Sequence, residues 1–354
     1  MSSAEILLQE ITELSHKFGG DQYVKGGGGN TSCKTNEFLW VKPSGTTLAT
    51  IKTESFVKMY RDKLDRLFQI ETPFDPTQRE ALVKDVMEES KVEGSLGRAS
   101  VEAPLHNCLN YTYVVHTHPV LINALTCSIY GKSLCRKWFP EALWVEYIDP
   151  GHTLSLHIDA LIKKYEHQNG HQPKLIVLQN HGIFVAANTP EEISRLYSQV
   201  MEKLEKELGV VDLESHELNE DARRYASHVL QMMRNFGAFS HVIHSVFSLP
   251  NACLTPDHIV YMKSRPFYGR VTEKSLREFQ ARYGYMPKIF IGDDAVVAVA
   301  DSERSAHLAM VLAKDAALVS LGAQRLGGVH YMGEEAVSFI ENWEVESYRQ
   351  KQMA

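Results

Sequence analysis

Apolar side chains recur at helical spacing from Ile6 and Leu7 through Ile11 and Leu14 to Phe18, and Gly19-Gly20 stops the run. The spacing predicts an amphipathic helix over residues 3–18. Phe38-Leu-Trp-Val41 reads as a short strand, and residues 52–97 as one or two helices followed by a charged, Gly-containing connection. Ser100 is expected to N-cap a short helix with Pro104 in its first turn and Leu105, Cys108 and Leu109 behind it. An apolar run then closes on His116 and His118, and residues 120–130 read as a helix. Strands follow at 144–148, 175–178 and 183–187, with a helical stretch starting at His157 and a turn over Gln179-Asn-His181-Gly182. Thr189-Pro190-Glu191-Glu192 is a helix start: an N-cap, an N1 proline and an acid at N3. Ile193, Leu196, Val200, Leu204 and Leu208 supply its buried stripe.

Residues 209–225 are polar and acidic and read as a connection. Beyond it the pattern returns. Pro287-Lys-Ile-Phe-Ile291 with Ala295-Val-Val-Ala-Val-Ala300 echoes Pro173-Lys-Leu-Ile-Val177 with Gly182-Ile-Phe-Val-Ala-Ala187. A stripe of Ala306, Met310, Ala313 and Ala317 follows where the earlier helix stood, and Asp294-Ala295-Val296 replace His181-Gly182. The chain therefore divides into a catalytic region 1–210, a connection 211–239 and a C-terminal region 240–354, read as a degenerate copy of the first without its metal ligand. Chance likeness of two common strand-turn-strand-helix units is the competing reading.

Composition narrows the function classes. The chain has 354 residues, 44% hydrophobic and 23% charged, as a globular protein of two domains would. A net charge of −7 without a Lys/Arg block disfavours nucleic-acid binding. Five scattered cysteines, none in a Cys-x-x-Cys pair, suit reduced thiols. No leader pattern and no apolar run approaching a membrane span is read in the sequence, so a cytoplasmic protein is expected.

The chemistry concentrates in a few positions. Residues two apart in a strand share a face, so His116 and His118 project together, with Glu102 at the start of the preceding helix. Transition metals favour such imidazole pairs completed by another His or carboxylate. His181, at a hairpin tip beside the permissive Gly182, is placed to reach across to another site. His106 shares a face with Glu102 and reads first as a structural histidine. Lys25-Gly-Gly-Gly-Gly-Asn30-Thr31-Ser32 lets the backbone come close to a ligand, although no Gly-Lys-Ser/Thr follows to make it a P-loop. Pro43-Ser44-Gly45 offers a hydroxyl and N–H groups, or is merely a turn. A cupin reading of His-x-His fails, because Pro119-Val-Leu-Ile-Asn123 lacks the glutamate it needs.

Gly29-Asn30-Thr31-Ser32, Pro43-Ser44-Gly45, Ser100-x-Glu102-x-x-x-His106, His116-x-His118 and Asn180-His181-Gly182 occur in one order over residues 1–210. Together they resemble the class II, metal-dependent aldolase and adducin-head family. Leu254-Thr-Pro-Asp-His258 and Asn342-Trp343 look like the end of the aldolase half of bifunctional rhamnulose-phosphate aldolase/dehydrogenase proteins, and no dehydrogenase half is expected in these 354 residues. The resemblance implies an α/β three-layer fold with flanking helices, a zinc or similar ion on His116, His118 and His181, and Glu102 as acid/base residue. It assigns Gly29, Asn30, Ser44, Gly45 and Ser100 to a substrate phosphate. The implied activity is retro-aldol cleavage of a ketose 1-phosphate of the rhamnulose or fuculose type to dihydroxyacetone phosphate and an aldehyde, by a homo-oligomer. Epimerisation, dehydration or decarboxylation on the same platform is the alternative, with Tyr130, Tyr147 and Tyr331 as candidate second proton donors; a noncatalytic adducin-like module is another. The chain departs from the small aldolases in its longer segment between Ser44 and Ser100, in Val101 where a second serine is expected, and in the added C-terminal region.

Overall fold

The computed structural model describes residues 2–70 and 75–343. The chain forms two compact units, one of residues 1–122 and 131–207, the other of 123–130 and 208–354.

Unit 1 runs through α1 (Ser3–Lys17), β1 (Asn30–Lys34), β2 (Phe38–Val41), β3 (Val57–Tyr60), α2 (Arg61–Asp65), α3 (Pro76–Glu89) and α4 (Ala103–Cys108). It continues with β4 (Tyr113–Thr117), the start of α5 (Val120–Thr126, of which 123–126 count with unit 2), α6 (Gly131–Trp138), β5 (Leu143–Val145), α7 (His152–Asn169), β6 (Leu175–Leu178), β7 (Gly182–Ala187) and α8 (Pro190–Leu208). The seven strands form one sheet in the order β3-β2-β1-β4-β7-β6-β5. Only β5 and β6 pair in parallel.

Strand alternation sorts the side chains into two layers. Val114, Phe184 and Ala186 pack with Leu105 of α4 and Leu154, Ile158 and Ile162 of α7. On the opposite face Ser15 of α1 meets Thr31 at 2.7 Å, and Tyr197 of α8 reaches Thr117 at 2.8 Å. Phe18 and Tyr197 stack behind them, ring centroids 4.3 Å apart. His116 shares the face of Val114, and so looks toward α4.

Several elements differ from the expectations. Residues 30–34 form a strand buried along its whole length, and Val57–Tyr60 pairs with β2 inside a segment read as helical. Glu102, not Ser100, is the N-cap of α4; the Ser100 hydroxyl instead accepts from the Glu102 amide at 3.2 Å. The α7 helix starts at His152 rather than His157, where Gly151 with φ 109° admits the chain.

Unit 2 contains α9 (Glu220–Met233), β8 (Ser240–Ser245), α10 (Pro256–Met262), β9 (Phe267–Tyr268), α11 (Glu273–Tyr283), β10 (Ile289–Ile291), β11 (Ala295–Ala300), α12 (Glu303–Arg325) and α13 (Glu334–Asn342). Its four strands lie in the order β8-β11-β10-β9. This repeats the β4-β7-β6-β5 half of the first sheet in sequence order, in pairing sense and in the helix inserted between the two parallel strands. The fold is an α/β sheet with flanking helices, followed by a degenerate repeat of part of it. Registers give the correspondence: Val297, opposite Ile243, stands where Phe184 faces His116. Ser245 and Asp294 then take the places of His118 and His181.

Two expectations for this region need correction. The supposed connection 211–239 carries α9, whose Ala222, Ala226, Val229 and Met233 enter the core of unit 2 behind an Asn219 cap. The helix was hidden because acidic residues dominate its first turn. The α12 helix is also long and apolar enough to cross a membrane, contrary to the reading of the sequence; 67% of its apolar window is buried inside the protein, so it serves as a core helix.

Candidate metal and acid-base site

The site is built where β4 ends. His116 is opposite Asn30 on one side and Phe184 on the other. The Phe184 ring lies flat on its imidazole, centroids 3.9 Å apart at 10°. His116 Nδ1 lies 3.0 Å from the Ile183 carbonyl. A carbonyl only accepts, so Nδ1 carries a proton, which leaves Nε2 as the ring atom that can bind an ion. That Nε2 is 2.9 Å from His118 Nε2. His181 completes the group, the candidate ligand atoms of all three lying within 4.8 Å of one another.

His181 reaches the pair because the β6–β7 turn allows a close approach. Asn180 takes φ 54°, and Gly182 follows. A Cβ on Gly182 would stand 2.4 Å from the Thr117 carbonyl oxygen and 2.7 Å from His118 Cδ2. Only glycine fits there.

Glu102 faces the cluster. Its Oε1 is 3.3 Å from His116 Nε2 and 4.0 Å from His181 Nε2, while Asn30 Nδ2 donates to its Oε2 at 3.3 Å. Burial pushes the carboxyl up, but the charge and hydrogen bond of the His116 imidazole, with His181 beyond it, outweigh burial and hold the group well below the usual carboxylate range. His116 Nε2 and the Glu102 carboxylate thus converge on one point. Such a donor set fits a divalent transition-metal ion, with His116 already fixed in the required tautomer by Ile183.

Behind Glu102 the short α4 is pinned at its far end. Lys34 Nζ donates to the His106 carbonyl and, at 2.6 Å, to that of Leu109. Arg61 donates from Nε to Asn107 Oδ1 at 2.8 Å and from its guanidinium to the Asn107 carbonyl at 3.3 Å. These bonds satisfy carbonyls that a helix end leaves open. Burial lowers Lys34 to about 7. His106 is fully buried, with Nδ1 2.8 Å from the Ser32 hydroxyl and its ring edge-on to Phe184. Burial drives it down to about 3, so it is neutral.

The candidate anion-binding residues fall into two groups. Gly29 (φ 70°) runs against β4, where a Cβ would stand 2.8 Å from the His116 carbonyl oxygen, and Asn30 follows it. The Ser44-Gly45 turn is held beside Ser100 by the Pro43–Ala99 bridge and by the Ser44 amide donating to the Arg98 carbonyl at 2.8 Å. Of the tyrosine candidates, Tyr147 donates to Asp149 at 3.2 Å, and Tyr130 and Tyr331 belong to unit 2. Sequence reasoning missed Phe184, Lys34 and Lys42, and did not pair Ser32 with His106. Only the His106 periodicity hinted at this layer.

Fold and site together define an α/β protein equipped to hold a divalent ion beside a carboxylate. The chain belongs to the class II aldolase and adducin N-terminal domain family, whose model matches residues 9–208. YuxG, an uncharacterized oxidoreductase of Bacillus subtilis (strain 168), is 27% identical over 299 residues, covering 74% of this chain and 42% of that protein. The chain thus spans less than half the length of that relative. Among solved structures, the N-terminal class II aldolase domain of a conserved Thermoplasma acidophilum protein aligns at 27% identity and TM-score 0.49, over 56% of this chain and 92% of its own. YgbL from Escherichia coli, a putative aldolase/epimerase/decarboxylase, aligns at 17% identity and TM-score 0.42, over 62% of this chain and 96% of its own.

Proposed function

We propose that the chain is a metal-dependent aldolase that cleaves a ketose 1-phosphate to dihydroxyacetone phosphate and an aldehyde. The observation that carries this reading is Glu102 Oε1 lying 3.3 Å from His116 Nε2 within the three-histidine cluster. His116, His118 and His181 would hold the ion, zinc being suited to three neutral imidazoles with a position left open. Bound there, a divalent cation supplies the positive charge that offsets an enediolate.

The protein's own groups do the rest. Glu102, ionised at neutral pH, takes the proton from the hydroxyl on the carbon that leaves as aldehyde, and returns it to the carbon left behind. The carbon–carbon bond breaks between those two events, so proton and electron pair balance. Asn30 holds the second carboxylate oxygen and thereby aims the first. Gly29, Ser44, Gly45 and Ser100 would bind the phosphate, turning remote binding energy into orientation. A screen of ketose 1-phosphates for release of dihydroxyacetone phosphate, with and without chelator, tests the reading. Chelator-sensitive release supports it; no release from any of them overturns it.

A further inference from the structure

The second copy keeps a lysine of the first and drops its partner. Lys174 precedes β6, and its Nζ pairs with Glu192 of α8 at 2.6 Å. Lys288 precedes β10 in the same place: its carbonyl accepts from Val299 at 2.9 Å, as that of Lys174 accepts from Ala186 at 2.8 Å. Counted from the starts of α8 and α12, the position of Glu192 is taken by Ser305, whose amide donates to the Ser302 hydroxyl at 3.2 Å. Lys288 instead donates to the Tyr261 carbonyl in the last turn of α10 at 3.3 Å. Two residues on from Tyr261, Lys263 brings a second ammonium, 5.3 Å from the Tyr285 ring centroid. Burial and then the Lys263 charge lower Lys288 to about 8, and burial lowers Lys263 as well. The acids whose charge reaches them, Asp301 for Lys288 and Glu341 for Lys263, form no ion pair with either. Glu341 accepts instead from the Ser264 hydroxyl, which meets Tyr285 Oη at 2.7 Å. Lys263 also holds φ 67° and ψ 160°, a conformation natural to glycine and costly for a side chain. Capping of α10 accounts for Lys288; it does not account for a second, strained lysine beside it.

We propose that unit 2 carries a small-anion site of its own, in which Lys263 and Lys288 take a phosphate group between their ammonium groups, as free phosphate or as a phosphate monoester. Two point charges suit a tetrahedral dianion, whereas a planar carboxylate is matched by a guanidinium fork. The site needs no turnover, so it stands or falls apart from the aldolase reading. The test labels the lysine amines of the full chain with acetic anhydride at about pH 8, where Lys288 titrates, and reads each position by peptide mass spectrometry. Inorganic phosphate, glycerol 1-phosphate, succinate and sodium chloride are compared at matched ionic strength, which removes general screening. Phosphate or its ester should cut labelling of Lys263 and Lys288 by about 10-fold, as a charge-assisted contact to each amine implies. The exposed Lys274 should be labelled equally throughout, and the more protective of the two phosphates identifies the source. Lys263→Gly removes one ammonium and relieves the backbone, so it should melt about 2–4 °C higher yet leave Lys288 unprotected. Equal labelling of both lysines in phosphate, ester and chloride overturns the proposal, and so does protection by succinate alone. Protection of Lys288 that persists in Lys263→Gly also overturns it, as does a loss of protection that comes with a lower melting temperature, which makes Lys263 a structural tie. Should that variant not fold, the wild-type labelling decides.

Discussion

Lys34 shows how one residue links the core to the chemistry. Its ammonium, sunk beneath β1, holds the carbonyls of His106 and Leu109 and so fixes the helix that carries Glu102. Burial lowers its pKa from 10.5 to about 7, so between those values the unfolded chain binds more protons than the folded one. Stability contributed by this group must then rise with pH across that window. Urea midpoints of wild type and Lys34→Met, measured from pH 7 to pH 10, should diverge in favour of wild type as pH increases. Parallel curves would show that Lys34 is not buried as a strained cation. The residue carried no sequence signal, because an isolated lysine in a polar run reads as solvated.

At the level of elements, the three-histidine cluster depends on how closely the β6–β7 hairpin approaches the end of β4. Gly182 allows that contact, and any Cβ there meets backbone, which cannot swing aside. Gly182→Ala should cost about 1–3 kcal/mol as an overpacked core site does, and each kcal/mol lowers the melting temperature by about 2–4 °C in a domain of this size. Zinc affinity should fall with it, since β7 carries His181 away from the pair. Calorimetric melting and metal titration check both; an unshifted melting temperature would show that the hairpin is loose. This element was legible beforehand, because Asn180-His181-Gly182 between two apolar runs is a turn with a mechanism. The β1 strand was not. Asn30, Thr31, Ser32 and Lys34 are buried through partners distant in sequence, namely Glu102, Ser15, His106 and the end of α4, and such pairing leaves no alternation to read.

For the whole molecule, the duplication was visible in two strand-turn-strand-helix runs. The equivalence of β8 and β4 was hidden, because Ser240–Ser245 lacks the apolar run that marks the first copy. Ile243, Ser245 and Asp294 stand at the positions equivalent to the three histidines, and the described residues of the second unit hold no three-imidazole cluster. Elemental analysis of the zinc-loaded protein should find a single ion per chain, lost in His181→Ala; retention of full metal in that variant would contradict the assignment.

In the proposed reaction Glu102 moves a proton to and from carbon beside a bound cation. Dihydroxyacetone phosphate in D2O tests it without knowledge of the aldehyde, because the reverse reaction begins by removing a proton from its hydroxymethyl carbon. Followed by proton NMR, the zinc-loaded wild type should exchange one carbon-bound hydrogen for deuterium. Chelator should stop the exchange, and Glu102→Gln, which keeps the metal, should slow it by about 10²–10⁴-fold. Exchange at the wild-type rate in Glu102→Gln, or none in the zinc-loaded wild type, would contradict the account.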